Sequence, residues 1–206
     1  MGAVMSTDRR LEKATPETWM NPPGGRWAYD QVKHLELPFD WELVDGVIVV
    51  RGMANWWHDE VRDELRDCFK SAVPDPDHGV NVERCVMLDD FIVTKPDVVI
   101  YDRRGLDLFT MDCTPAANVR LAVEVVSPGS AVDDRVRKPA LYAAAGVPYF
   151  WRVERGADNC PEVHEYWLHS GTGDYVSAPE HPCHKGKLET DRPFPIGIDL
   201  MSVVGF

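Results

Sequence analysis

Arg120-Leu121-Ala122-Val123-Glu124-Val125-Val126-Ser127-Pro128 is the stretch that decides the fold. Read as a strand, it sends Arg120, Ala122, Glu124 and Val126 to one face and Leu121, Val123 and Val125 to the other. A carboxylate inside such an apolar run is costly to bury unless it is paired or binds a cation. Upstream, Thr94-Lys95-Pro96-Asp97-Val98-Val99-Ile100-Tyr101 repeats the theme. Pro96 fixes φ and removes a backbone donor, so Asp97 opens an apolar strand. Two acids on short apolar strands suggest a hard-metal site, because Mg²⁺ takes one or two carboxylates together with waters and phosphate oxygens. Blander readings stand beside this one. Asp97 also fits an exposed strand-start acid, and Glu124 a buried acid paired with an arginine such as Arg120.

Working outward, Asp45-Gly46 is a two-residue turn of the kind favoured between hairpin strands, here Trp41–Val44 and Val47–Arg51. A short helix is expected over Trp27–Leu35. Asn55–Ala72 is the best helix: Trp57, Val61, Leu65, Cys68, Phe69 and Ala72 fall on one stripe, and Pro74 closes it. Strands are expected at Val80–Leu88, Phe91–Thr94, Val98–Tyr101, Arg120–Val126, Tyr149–Glu154, Val163–His169 and Tyr175–Val176. A second helix spans Val132–Ala145, with Gly146 as its stop. The tail from Arg192 to Leu200 reads as an edge segment. The fold class is therefore α/β (α+β), one twisted mixed sheet flanked by helices. Residues 1–25 read as an N-terminal arm and 26–206 as a single domain.

Bulk properties narrow the function. The chain has 206 residues, 44% of them hydrophobic, enough for a proper core. No apolar run reaches the roughly 20 residues needed to span a membrane, and Met1–Arg10 lacks a signal-peptide core, so a cytoplasmic protein is expected. Five cysteines form no CxxC pair, and a disulfide framework is not expected. His181, Cys183 and His184 match no usual structural-zinc spacing and are assigned to a solvated loop. The net charge of −12 argues against strong non-specific nucleic-acid binding, which needs Lys and Arg at phosphates. A local basic face can still steer a substrate.

These words, in order, resemble the bacterial Uma-type family of proposed restriction endonucleases, within the PD-(D/E)xK nuclease superfamily. The matching residues are Trp41-Glu42-Leu43-Val44-Asp45-Gly46-Val47-Ile48-Val49, Lys95-Pro96-Asp97-Val98, Val123-Glu124-Val125-Val126-Ser127-Pro128, Asp134-Arg135, Lys138, Tyr142-Ala143-Ala144-Ala145-Gly146-Val147-Pro148 and Trp151. The resemblance covers about Trp27 to Leu200 and implies a restriction-endonuclease-like core. It implies Asp97 and Glu124 as ligands of Mg²⁺ or Mn²⁺, with the backbone carbonyl of Val126 as a further ligand, and DNA as substrate.

One departure is plain. The superfamily places its catalytic lysine two residues after the second acid, where this chain has Val126. The resemblance implies that Lys138, on the next helix, takes that place. Arg135, Lys138 and Tyr142 stand at i, i+3 and i+7, one helical face, so Arg135 could reach a phosphate and Tyr142 the metal. Pro139 disfavours helical geometry at Lys138 and is expected to kink the helix. Glu42, His58 and Ser127 are accessory candidates, although capping or surface roles are commoner for such a histidine. The leading expectation is a divalent-metal-dependent DNA endonuclease, acting as a homodimer. The rival is a degenerate binding or assembly module on a nuclease scaffold.

Overall fold

Asp45 and Gly46 both take left-handed backbone, at φ 52° and 76°, as a two-residue type I′ hairpin requires. The computed structural model describes residues 12–73 and 76–204. Met1–Arg10 and Pro74 lie outside them. The chain divides into two compact units: one contains the residues up to Arg51 and Met87–Thr94, the other Gly52–Val86 and Lys95 onward. In chain order the elements begin with α1 (Tyr29–Val32), β1 (Trp41–Val44), β2 (Val47–Val50), α2 (Trp56–Ala72) and β3 (His78–Val82). Next come β4 (Val86–Asp89), β5 (Ile92–Thr94), β6 (Val98–Asp102), β7 (Thr114–Pro115) and β8 (Val119–Val125). A π-helical stretch, Asp133–Arg137, then leads into α3 (Lys138–Ala144). The remaining strands are β9 (Tyr149–Arg155), β10 (Pro161–Leu168), β11 (Tyr175–Ser177), β12 (Cys183–Lys185), β13 (Lys187–Thr190) and β14 (Ile196–Asp199).

In the first unit the strands lie in the order β2-β1-β5-β4. A Cβ on Gly46 would meet the Arg26 Cβ at 2.4 Å, so close packing as well as positive φ requires glycine there. The expected helix over Trp27–Leu35 shrinks to α1. The Trp27 amide is taken by the Gly46 carbonyl at 2.7 Å, and Ala28 is extended, its N–H capped by the Gln31 side chain at 2.9 Å. Trp19 packs edge-on against Phe39, and its carbonyl accepts from the Trp27 indole.

The second unit is built on a sheet ordered β14-β13-β12-β10-β9-β8-β6-β3, with β11 added on β10. Strands β8 and β9 are parallel, and the π stretch and α3 form the crossover that a parallel pair requires. Helix α2 explains the burial pattern. Asn55 caps it by accepting the His58 amide at 3.0 Å. Its stripe of Trp57, Val61, Leu65 and Phe69 packs on Val98, Ile100, Leu121, Val123, Val125 and Trp151. Leu121, Val123 and Val125 thus face α2, and alternation turns Glu124 the other way. Phe69 is fully buried, 5.3 Å from the Trp151 ring. Phe69→Ala is expected to cost about 3–5 kcal/mol, read by urea unfolding.

Further sequence expectations change. The run Val80–Leu88 is two strands, β3 and β4, divided between the units. Glu83 sits between them at φ 49°, its N–H on the carbonyls of Pro96 and Asp97, and a left-handed residue ends a strand. The fold is α+β as expected, but its described strands form two sheets. The absence of a disulfide framework is also corrected: Cys85 and Cys113 are bonded across 28 residues. The Thr114 amide donates to the Cys85 carbonyl at 2.7 Å and brings the two segments together. No described helix is long and apolar enough to cross a membrane.

Arg120, the sequence candidate for neutralising Glu124, pairs instead with Asp102 at 3.1 Å. Arg104 donates to Asp102 through side chain and backbone, and these bonds, with Arg120, hold the Asp102 carboxyl below the usual carboxylate range. A depressed folded pKa stabilises above the unfolded value, about 3.9, and that stability is lost as pH falls through the folded value. Asp102→Asn should therefore be less stable than the parent at neutral pH, with the gap closing below about pH 4. Urea midpoints across pH check this.

Candidate active site

Glu124, penultimate in β8, is completely buried. Its Oε2 accepts from Lys138 Nζ at 2.8 Å and its Oε1 from the Tyr142 hydroxyl at 2.7 Å. Lys138 Nζ also lies 3.2 Å from Asp134 Oδ1, and Asp134 Oδ2 accepts from the Ser130 hydroxyl. Ser130 and Ser127 hydroxyls are 2.8 Å apart, and the Ser130 N–H donates to Ser127 Oγ. The turn after β8 is thereby locked against the helix that carries Lys138. Burial pushes the Asp134 carboxyl up, and the charge of Asp97 adds to that. Lys138 and Ser130 oppose it without prevailing.

The π stretch explains how Lys138 arrives. The Lys138 N–H bonds to the Asp133 carbonyl, five residues back, a wider turn than an α-helix makes. Lys138 itself is helical, at φ −61° and ψ −45°, so Pro139 does not displace it. The extra residue in the turn absorbs the missing amide of Pro139. It also breaks the expected face. Lys138 and Tyr142, four apart in α3, both reach Glu124. Arg135 turns away to Glu154, with Nε 2.9 Å from Oε1. The expectation of one face shared by Arg135, Lys138 and Tyr142 is corrected on this ground.

Asp97 stands one residue outside the β6–β8 ladder, whose last pair is Val98↔Val123. That register puts it opposite Glu124. Its Oδ2 accepts the Val125 N–H at 2.7 Å and lies 3.1 Å from His58 Nε2. Burial pushes the Asp97 carboxyl up. The bond and charge of His58, the charge of Lys138 and the Val125 amide outweigh it and hold the group low. Burial likewise disfavours charged His58, but Asp97 and then Asp59 raise it above its ordinary value. His58, an accessory candidate for which capping or a surface place is the commoner role, is buried and bonded to Asp97. Asp134 is not legible in the sequence as a partner of the acids; His58, which follows the stripe residue Trp57 at the α2 N-terminus, is legible only as an accessory candidate.

Val126 bears on the backbone, and Glu42 sits within its own unit. Val126 donates its N–H to the Val153 carbonyl at 2.8 Å, which fixes the end of β8 on β9. Glu42 belongs to the hairpin unit, where it is buried with its Oε1 3.9 Å from Arg51 Nε. Cys183 and His184 are not in a solvated loop. They lie in β12, and buried His184 meets Glu165 at 3.1 Å.

Asp97 and Glu124 offer hard carboxylate oxygens from adjacent strands, and the Val126 carbonyl follows two residues on. That donor set suits Mg²⁺ or Mn²⁺. The ammonium of Lys138 and the imidazole of His58 balance the charge of the two acids.

The family described as "Uma2: Putative restriction endonuclease" matches residues 28–181. The chain belongs to this family. No curated protein matches. Among solved structures, a protein from Anabaena variabilis described as a "putative nuclease belonging to DUF820" is similar in fold. Its TM-score is 0.60 at 14% identity, over 85% of this chain and 96% of that one. The family match ends before β12, so β12 to β14 lie beyond the part shared with the Uma2 pattern.

Proposed function

We propose that this Uma2 chain is a divalent-metal-dependent endonuclease that hydrolyses phosphodiester bonds of DNA in the cytoplasm, working as a homodimer so that two sites meet two strands. The supporting observation is Glu124: fully buried, opposite Asp97, and held by a lysine from the following helix. Asp97, Glu124 and the Val126 carbonyl would hold Mg²⁺ or Mn²⁺. A bound ion of this kind acidifies water and stabilises charge on the phosphate.

The chain's own residues supply the rest. Tyr142 orients Glu124 through Oε1, and His58 with the Val125 amide orients Asp97. Lys138 donates a hydrogen bond to Glu124 and forms an ion pair with Asp134. With substrate present, it holds the attacking water or an oxygen of the crowded phosphate, supplying position and positive charge. Ser127 and Ser130 keep the turn beneath Lys138 rigid. Arg135, engaged by Glu154, has no part in this reading.

The test is cleavage of supercoiled plasmid with Mg²⁺ or Mn²⁺, against EDTA, together with a Mn²⁺ thermal shift. Asp97→Asn should lose both. A second reading, a binding or assembly module without catalysis, has one observation in its favour: both oxygens of Glu124 are already satisfied by Lys138 and Tyr142. It requires neither cleavage nor a shift.

A further inference from the structure

Strand alternation sorts the histidines and cysteine near β12 into two sets. Cys183 pairs across the strands with His164, and His184 with Val163. His184 faces buried Glu165. Cys183 faces the opposite side, which it shares with His164 and, two residues earlier on β10, Glu162. One ligand atom from each of Glu162, His164 and Cys183 lies within 4.8 Å of the other two, and all three residues are half-buried. Cys183 Sγ is 4.0 Å from His164 Nε2.

We infer that Glu162, His164 and Cys183 form a second cation site, for a borderline divalent metal of the Zn²⁺ class. Thiolate, imidazole and carboxylate are the three ligand types that Zn²⁺ uses. A thiolate disfavours Mg²⁺ and Ca²⁺, which take oxygen, so this site and the Asp97–Glu124 pair select different ions. Three protein ligands leave a fourth position for water, as in open zinc sites.

The surrounding charges fit. Lys185 Nζ holds Glu162 Oε1 at 2.8 Å, and a carboxylate has a second oxygen to offer. This is how outer partners orient a ligating carboxylate. Arg152, the cross-strand neighbour of His164, has its Nε 2.9 Å from Glu154 Oε1, which offsets its charge beside the site. The row Glu124, Arg152, His164, Cys183 runs across β8, β9, β10 and β12 in register. Two strand spacings, roughly 10 Å, separate Glu124 from His164. The second ion therefore sits on the same face as the acids but in its own shell.

The experiment uses the untagged full chain and Co²⁺ as a spectroscopic substitute for Zn²⁺. One equivalent of Co²⁺ should give thiolate-to-cobalt charge-transfer absorption, displaced by Zn²⁺. Cys183→Ser should abolish the band. His164→Ala and Glu162→Gln should weaken binding at least about tenfold, the lower end of what outer-shell changes alone cost. Cys68→Ser and Cys160→Ser should leave the band intact, as should Asp97→Asn and Glu124→Gln. In the unaltered protein, Zn²⁺ should protect Cys183 from alkylation, which tests the site even if a variant misfolds. No band in the parent, a band surviving Cys183→Ser, indifference to both His164→Ala and Glu162→Gln, or alkylation unaffected by Zn²⁺ would each overturn the inference. Loss of the band in Asp97→Asn would overturn its separateness.

Discussion

Glu124→Gln is expected to reduce metal-dependent cleavage by about a thousandfold or more, because a divalent ion supplies several kcal/mol of charge stabilisation and each 1.4 kcal/mol is tenfold. Stability should suffer much less. Glutamine keeps the shape: its carbonyl oxygen can still accept from Lys138, and its amide nitrogen, which only donates, can bond the Tyr142 hydroxyl with the direction reversed. The cost expected in EDTA is about 1–3 kcal/mol, that of weakening buried hydrogen bonds. Glu124→Ala differs. It removes the Glu124 carboxylate from the buried Lys138 ammonium, and breaking a buried pair costs about 3–5 kcal/mol. Urea unfolding in EDTA separates the two substitutions, and plasmid cleavage with Mn²⁺ separates chemistry from folding. Cleavage by Glu124→Gln at the parent rate would remove Glu124 from the mechanism.

The residues that decide this argument differ in how far the sequence exposes them. Glu124 and Asp97 stand out because an acid inside Val, Ile and Leu conflicts with the local pattern, and such conflicts gather at functional sites. The hairpin is legible from Asp45-Gly46 and α2 from its stripe, since both follow from local geometry. His58 and Asp134 are hidden because their burial depends on what packs over them. Pro139 reads as a disruption of the helix at Lys138, but a π turn accommodates it, and no local propensity announces that turn. The same turn diverts Arg135. The division of Val80–Leu88 rests on one left-handed residue, Glu83, whose type gives no warning. Cys85 and Cys113 meet only because β7 returns to the Cys85 carbonyl, a contact between distant segments.

Lys138 carries the strongest remaining test, because its catalytic and structural roles predict different responses to metal. Lys138→Ala removes the cation that balances Glu124 and Asp134. In EDTA the variant is expected to lose about 3–5 kcal/mol, the cost of leaving a buried charge without its partner. A divalent ion held by Asp97 and Glu124 would restore positive charge at the same place. Mn²⁺ should therefore raise the melting temperature of Lys138→Ala by more than it raises that of the parent, since a ligand stabilises whatever state it binds more tightly. Cleavage should still be lost, because the ion does not replace a hydrogen-bond donor beside the attacking water. Lys138→Arg should rescue cleavage poorly: a planar guanidinium does not fit where a single ammonium bridges Glu124 and Asp134. If Lys138 serves only as a counter-ion for the buried acids, Mn²⁺ rescues folding and cleavage together. Parent-like cleavage by Lys138→Ala would therefore end the case that this lysine stands in for the one missing at Val126.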